Sequence, residues 1–376
     1  MLVSIIIDGI DFENLDAERY WSFPSGYKGN KSEEMRNMIF SNNYGGARKM
    51  DGAYYRLCKG IDGEVRLQSR SESVNGGFLD KKDWVPQLND FFAKIPNGSC
   101  LLGEIYFPNN EGSRHVTSIM GCLPEKARVR QEAGDKLHYY IFDVWAWDGH
   151  SYLKTPAFDR FNLISTNFNN SNYQHPYVEW AMYYIGPALW DELSRVREAN
   201  GEGVVITQLN SVPSPGKRTA RKTLKIKKEL DNPIDCFLTG RYKPATQEYK
   251  GNYITDWPYW VNLRTGEKLT GRYYEDWLHG RTLLPVTRAW FNGWASAVEI
   301  GLMKDGKEVG IGWISGIDDD VRAGIVNNPE AYKHKVVKIN AMSIEPDTHC
   351  LRHGKIIEWR NDGDKSWEEC DFGQIL

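Results

Sequence analysis

Lys49-Met50-Asp51-Gly52 is the stretch of this chain best equipped for covalent chemistry. It follows Gly45-Gly46-Ala47-Arg48 and precedes the apolar-aromatic run Ala53-Tyr54-Tyr55-Arg56-Leu57, the pattern of a loop feeding a β-strand. A lysine held at a strand entrance, close to an aspartate, is a nucleophile when its amine is uncharged. Burial or neighbouring cations must then bring the amine down from a reference pKa of about 10.4. Alone, the tetrapeptide reads as well as a plain β-turn with a solvated lysine.

Three downstream segments offer company. Glu104 interrupts Leu101-Leu102-Gly103-Glu104-Ile105-Tyr106-Phe107, where a carboxylate is costly to bury without a cation. Glu202 is set in the same way in Gly201-Glu202-Gly203-Val204-Val205-Ile206. Two carboxylates at strand ends can hold Mg2+ beside substrate phosphates; the alternative is two glutamates facing water. Thr223-Leu224-Lys225-Ile226-Lys227 alternates with period two, so Lys225 and Lys227 share one strand face. Paired ammonium groups suit a triphosphate and would lower the pKa of a nearby lysine. A solvated edge strand guarded by lysines is the other reading. Lys217, Arg218, Arg221 and Lys222 extend the basic run, as a contact to a phosphate backbone or as a surface loop.

The elements that must position these groups alternate between helix and strand. Residues 32–40 read as a helix with Glu33 and Glu34 in its first turn, and 53–70 as a hairpin around Asp62-Gly63. Trp84, Leu88, Phe91 and Ile95 predict a helix over 82–95, followed by a strand at 101–107. Residues 137–147 are β-rich and end at the turn Asp148-Gly149. A long helix is expected over 177–199, closing at Asn200-Gly201. Short strands follow at 203–207 and 223–227. After Glu229, Asp231-Asn232-Pro233 reads as a linker to a small β-barrel of short strands. Residues 242–294, rich in Tyr, Trp and Gly, read as an insertion in that barrel. It supplies either an aromatic core or stacking and arginine contacts (Arg264, Arg272, Arg281) to nucleic acid.

Composition bounds the class. The chain has 376 residues, 41% hydrophobic and 26% charged, which suits a globular protein of two or three domains. A net charge of −3 excludes a general polycation, so nucleic-acid contact must come from local basic patches. The six cysteines form no C-x-x-C pair, against a structural zinc site and in favour of reduced thiols in the cytosol. The apolar start of residues 1–8 is too short, and lacks the basic region, for a signal peptide. No run approaches the ~20 apolar residues of a membrane span.

In their order, Lys49-Met50-Asp51-Gly52, Ser69-Arg70, Gly103-Glu104, Phe142-Asp143, Glu202-Gly203-Val204-Val205 and Leu224-Lys225-Ile226-Lys227 resemble the successive motifs of the covalent nucleotidyltransferase superfamily. Its members are ATP-dependent DNA ligases, RNA ligases and mRNA capping enzymes. Residues 336–345 and 351–362 look like the final OB-domain motif of ATP-dependent DNA ligases, with Gly310-Ile311-Gly312 and 318–322 on its approach. The resemblance spans nearly the whole chain from about residue 45.

It implies an α+β protein: an antiparallel-sheet nucleotidyltransferase (adenylation) domain over 1–229, then an all-β OB-fold barrel over 230–376. Lys49, with Asp51 as the second catalytic candidate, would attack the α-phosphate of ATP and form a lysyl-AMP phosphoramidate. Phe142 would stack on adenine. Glu104 would bind the ribose or the metal, and Glu202 the Mg2+. Lys225 and Lys227 would hold phosphates, and Arg70 would contact the ribose or a nucleic-acid phosphate. Arg352 and Arg360 would orient the leaving pyrophosphate. AMP would pass to a 5′-phosphate at a nick in duplex DNA, and the 3′-hydroxyl would displace it; such catalysis is mostly positioning and charge. The resemblance carries with it a cytoplasmic monomer acting in DNA replication, repair or recombination, with no membrane.

The chain departs from the pattern at named positions. Where ligases commonly carry arginine two residues after the motif glycine, this chain has Tyr54, with Arg56 two further on. Ala47 stands where a polar or acidic residue is common, Gly354 where proline is usual, and Lys365 lies two residues late for the final lysine. An RNA ligase, or a capping-type guanylyltransferase using GTP, is the alternative with the same lysine. A nucleic-acid-binding OB protein with a degenerate catalytic half is the non-enzymatic one.

Overall fold

The computed structural model describes residues 5–23, 31–72, 77–108, 112–134, 136–169, 171–199, 201–217, 222–227, 233–251, 253–280, 282–345, 348–361 and 363–375. Expectations for Asn200, Arg218, Arg221, Asp231, Asn232, Arg281 and Asp362 lie outside the described residues. The chain forms two compact units, Met1–Lys228 and Glu229–Leu376.

Two large sheets build the first unit, beside a two-stranded one at Ile6–Ile7 and Ile10–Asp11. One runs in the order His150–Ser151, His138–Trp147, Ser99–Tyr106, Ala53–Lys59, Val65–Glu72, Phe78–Asp80, and Val178–Trp180 joins His138–Trp147 in parallel. Alternate residues of its strands face opposite ways, and both faces are covered. Tyr55, Leu57, Leu67, Ile105 and Ile141 pack under helices that contribute Phe91, Val116, Ile164 and Phe168. Cys58, Cys100, Leu102 and Trp145 pack instead against Ile5, Ile7 and Phe12 of the N-terminal segment. Arg56, 2% exposed, staples that segment down. Its guanidinium donates to the carbonyls of Leu15 and Glu13 and to Gln68 Oε1.

The other sheet has the order Tyr184–Ile185, Tyr44–Lys49, Gly203–Gln208, Thr223–Lys227, Trp21–Phe23, the last pairing parallel. Leu224 and Ile226 face a core with Met35, Ile39, Leu189 and Val196 from helices Lys31–Phe40 and Pro187–Glu198. Period two therefore turns Lys225 and Lys227 to the opposite face. The Thr223–Lys227 strand is paired on both sides, so it is not an edge.

Two expected helices are corrected. Residues 82–95 hold two 3-10 turns, Lys82–Trp84 and Pro86–Leu88, before the helix Asn89–Lys94, because Pro86 removes a donor and restricts Val85. Residues 177–199 are helical only over Pro187–Glu198; Val178–Trp180 and Tyr184–Ile185 are strands. Gly186 at φ 59° precedes Pro187, which sits at the start of the helix where its missing donor costs nothing.

In the second unit a five-stranded antiparallel sheet runs Lys307–Ile314, Ala295–Lys304, Ile234–Pro244, Val336–Asn340, Lys355–Trp359, with helix Asp319–Asn327 between its third and fourth strands in chain order. Phe237, Ile300, Ile311, Val337 and Ile339 fill its core. Among the described residues the two outer strands do not pair with each other, so the expected barrel is open, as OB folds partly are. Residues 245–294 leave and re-enter this sheet at adjacent points, since Pro244 and Ala295 are register partners. They carry their own three-stranded sheet, with Trp260 fully buried and Tyr249 stacked on Trp257 at 3.5 Å. Arg272 lies 3.4 Å from Asp256. Among the described residues no helix is long and apolar enough to cross a membrane.

Candidate active site

Lys49 ends the strand Tyr44–Lys49, and Met50-Asp51-Gly52 carries the chain across to the other sheet at Ala53. That crossing is tight. A Cβ on Gly52 would lie 2.3 Å from the Ile105 carbonyl oxygen, so only glycine lets the loop press against the strand that carries Glu104. Lys49 Nζ donates to Glu202 Oε2 at 2.7 Å and to the Met50 carbonyl at 3.0 Å, and lies 3.6 Å from Glu104 Oε1. Glu202 Oε1 is 3.0 Å from Lys227 Nζ. Gly203 stands opposite both Lys49 and Lys227 in the register. Its φ of 138° and a Cβ position 2.0 Å from the Ile226 carbonyl oxygen again admit only glycine. Two lysines and two glutamates, far apart in sequence, thus meet between the sheets. Lys225 follows on the same face of its strand, opposite Val205.

The electrostatics correct one expectation. Lys49 was expected to be brought below its usual pKa, and it is held above it. Burial pulls the amine down, but Glu104, Glu202 and Asp51 together outweigh that pull. Of the pair expected to depress it, Lys225 and Lys227, the second is itself bound to Glu202. Burial pushes the Glu104 carboxyl up from its usual range, Lys49 opposes that shift, and Glu202 adds to it. Glu104 Oε2 is buried and has no hydrogen-bond partner.

That orphaned oxygen beside Glu202 fits a hard cation that takes one or two carboxylates and completes its shell with water and phosphate. Among the described residues no cluster of three or more His, Cys, Asp and Glu forms a self-sufficient metal cage.

Tyr54 lies directly opposite Glu104 on the neighbouring strand, and the Arg70 guanidinium sits over its ring at 5.0 Å from the centroid. The hydrogen bonds of Arg56 go elsewhere, to the carbonyls of the N-terminal segment and to Gln68. Phe142 packs beside the cluster of Ala47, Met50, Tyr106, Tyr140 and Ala181, with its ring 6.3 Å from that of Tyr54. It is the extra residue of a β-bulge, because Leu102 pairs with Asp143 and Gly103 with Ile141. Two groups that the sequence reading did not single out fix this bulge. Arg160 grips Asp143 with two bonds, Nε to Oδ1 at 2.8 Å and Nη2 to Oδ2 at 3.0 Å, and Tyr183 donates its phenol proton to the Phe142 carbonyl. One signal was available: Arg160 falls on the apolar stripe Ala157, Phe161, Ile164, Phe168, where a charge needs a buried partner. Of the basic run, Lys222 is bound to Glu18 at 3.4 Å and to Ser214 at 2.7 Å, which is structural use.

In the second unit, Arg352 lies in a short strand opposite Ser343. Arg360 Nη2 and Lys365 Nζ converge on Asp235, at 3.0 and 3.1 Å. The hydrogen bonds from Lys365 and Arg360, with their charges, hold the Asp235 carboxyl below its usual range against a desolvation that acts the other way.

The family model for the ATP dependent DNA ligase domain matches residues 31–227, more than half of the chain. The chain belongs to the ATP-dependent DNA ligase family, and its chemistry is DNA ligation with ATP rather than RNA ligation or capping. Solved structures agree at the level of fold. The chain resembles a Lig E DNA ligase from a study of DNA binding with a minimal scaffold, at 14% identity and a TM-score of 0.53, covering 92% of this chain and 99% of that one. It also resembles the chain Pmar-Lig_PreS3, at 13% identity and a TM-score of 0.56, covering 92% of this chain and 68% of that one. No curated protein matches the sequence.

Proposed function

We propose that Lys49 is the residue that becomes adenylylated, and that the groups around it act in the order the reaction needs them. The observation that carries this is the Lys49 amine lying between Glu202 and Glu104, one from each sheet, with Lys227 behind. Nζ sheds its proton and attacks the α-phosphorus of ATP; an N–P bond forms as the bond to pyrophosphate breaks. Phe142 stacks on the adenine, and Lys225 and Lys227 meet the phosphate oxygens from one strand face. Asp51 lies close enough to act on the Lys49 charge. Mg2+ held by Glu104 and Glu202 would neutralise phosphate charge and, by engaging both carboxylates, relax their grip on the Lys49 ammonium. Arg352 and Arg360 serve the pyrophosphate. AMP then moves to a 5′-phosphate at a nick, and the 3′-hydroxyl displaces it. Positioning and charge supply most of such a barrier reduction.

α-Labelled ATP with Mg2+ should label the protein through an acid-labile bond, and Lys49→Ala should abolish the label. Equal or better labelling from GTP would point to capping chemistry. Sealing of nicked duplex DNA is the second expected result, and sealing confined to RNA nicks would reject it.

A further inference from the structure

We propose that Tyr54 is a positioning residue whose ring holds Arg70 as the receptor for a backbone phosphate of the polynucleotide. This rests on the proposed function of the site and narrows the ligand of Arg70 from ribose or phosphate to phosphate alone.

The geometry is a row across three strands. Tyr54 is the register partner of Glu104, and Arg70 follows the Tyr55–Ser69 pair on the strand to the other side. Glu104 is the inner member, 3.6 Å from Lys49 Nζ, whereas Arg70 is the exposed outer member. At the ~4.8 Å spacing of neighbouring strands, the Arg70 backbone stands about 10 Å from that of Glu104. A nucleotide bonded to Lys49 meets the inner member, and the orphaned Glu104 Oε2 is the partner offered to its ribose or metal. Arg70 faces what arrives later at the rim.

Arg70 is also free to bind. Among the described residues it makes no ion pair; it lies over the Tyr54 ring, and its charge also acts on the Glu104 carboxyl, opposing the upward push of burial there. A guanidinium held over an aromatic ring by its charge spends no N–H donor on that contact, so its donors remain available for two phosphate oxygens at once. Tyr54 is in turn fixed by burial and by Phe142, and its hydroxyl has no hydrogen-bond partner. The ring, and not the hydroxyl, is therefore the working part, and phenylalanine should serve in its place.

The test measures binding of nicked duplex DNA across a salt series, beside ATP labelling, in the full chain. Arg70→Ala should weaken nick binding about tenfold and lower the slope of log affinity against log salt by about one, the mark of one lost phosphate contact. Tyr54→Leu should reproduce both losses, Tyr54→Phe should restore the slope, and Arg70→Ala with Tyr54→Leu should lose no more than either alone. ATP labelling should fall less than nick binding in each. A native slope in Tyr54→Leu overturns the proposal, and so does an Arg70→Ala protein that loses ATP labelling more than nick binding, which would mark a ribose contact. Arg70 is exposed, so its replacement reads out even where Tyr54→Leu fails to fold. A native protein that neither labels with ATP nor binds nicked DNA defeats the proposed function itself. One that does both, while Tyr54→Leu matches it, defeats this inference alone.

Discussion

Lys49 is a nucleophile guarded by the groups that will use it. Its amine sits above its usual pKa because burial, which would free it, is outweighed by Glu104, Glu202 and Asp51. A lysine raised in the folded state stabilises that state below its unfolded value of 10.5, and the contribution is lost as pH rises through the folded value. Glu202→Gln removes the closest carboxylate, at 2.7 Å, and should lower the Lys49 pKa. In metal-free protein, acylation of Lys49 by an amine-reactive ester should then reach half its maximal rate at a lower pH than in the native chain. An unchanged or higher midpoint would show that Glu202 does not hold the ammonium. The same residues explain what the sequence could disclose. Glu104, Lys225 and Lys227 are legible because each interrupts a short apolar strand, where a charge stands out, and Glu202 because it immediately precedes one. Lys49, at the end of a Gly-rich strand that reads as a loop, is legible only from its motif. The sign of the Lys49 shift was not legible, since it depends on which carboxylates reach the amine across the cleft.

At the scale of elements, the bulge at Phe142 is the piece that local reasoning could not supply. It is held from outside by Arg160 on the helix Ala157–Phe168 and by Tyr183 on the segment before Pro187. Tyr183→Phe keeps the ring stacked on Phe161 at 3.5 Å and removes only the bond to the Phe142 carbonyl. It should raise the KM for ATP several-fold with a smaller change in kcat, measured by single-turnover adenylylation. Arg160→Leu leaves the Asp143 carboxyl, at 6% exposure, without its cation and with the Val144 N–H still donating to it, and should cost about 3–5 kcal/mol in urea denaturation. The misread segments have one cause. Residues 82–95 and 177–199 carry apolar residues at helical spacing, but Pro86 and the Gly186-Pro187 pair decide where a helix can begin. Punctuation outranked periodicity in both.

At the scale of the molecule, the aromatic insertion is a module added to a complete sheet. Its ends, Pro244 and Ala295, are already hairpin partners, and Trp260 is buried in the insertion's own three-stranded sheet. Replacing 245–294 by a two-residue Asn-Gly turn should leave the five-stranded sheet folded, with a cooperative thermal transition by circular dichroism. Loss of that transition would show that the insertion is part of the core. The N-terminal segment is the reverse case. The family match begins at residue 31, yet Arg56 depends on carbonyls at Glu13 and Leu15, and Trp21–Phe23 forms the outer strand beside Thr223–Lys227. A truncation at residue 31 would retain every proposed catalytic side chain while stranding a buried cation and uncovering a hydrophobic sheet face, each orphaned group costing about 1–3 kcal/mol. Such a shortened ligase should accumulate as inclusion bodies on expression, so the boundary drawn by homology is the wrong place to cut.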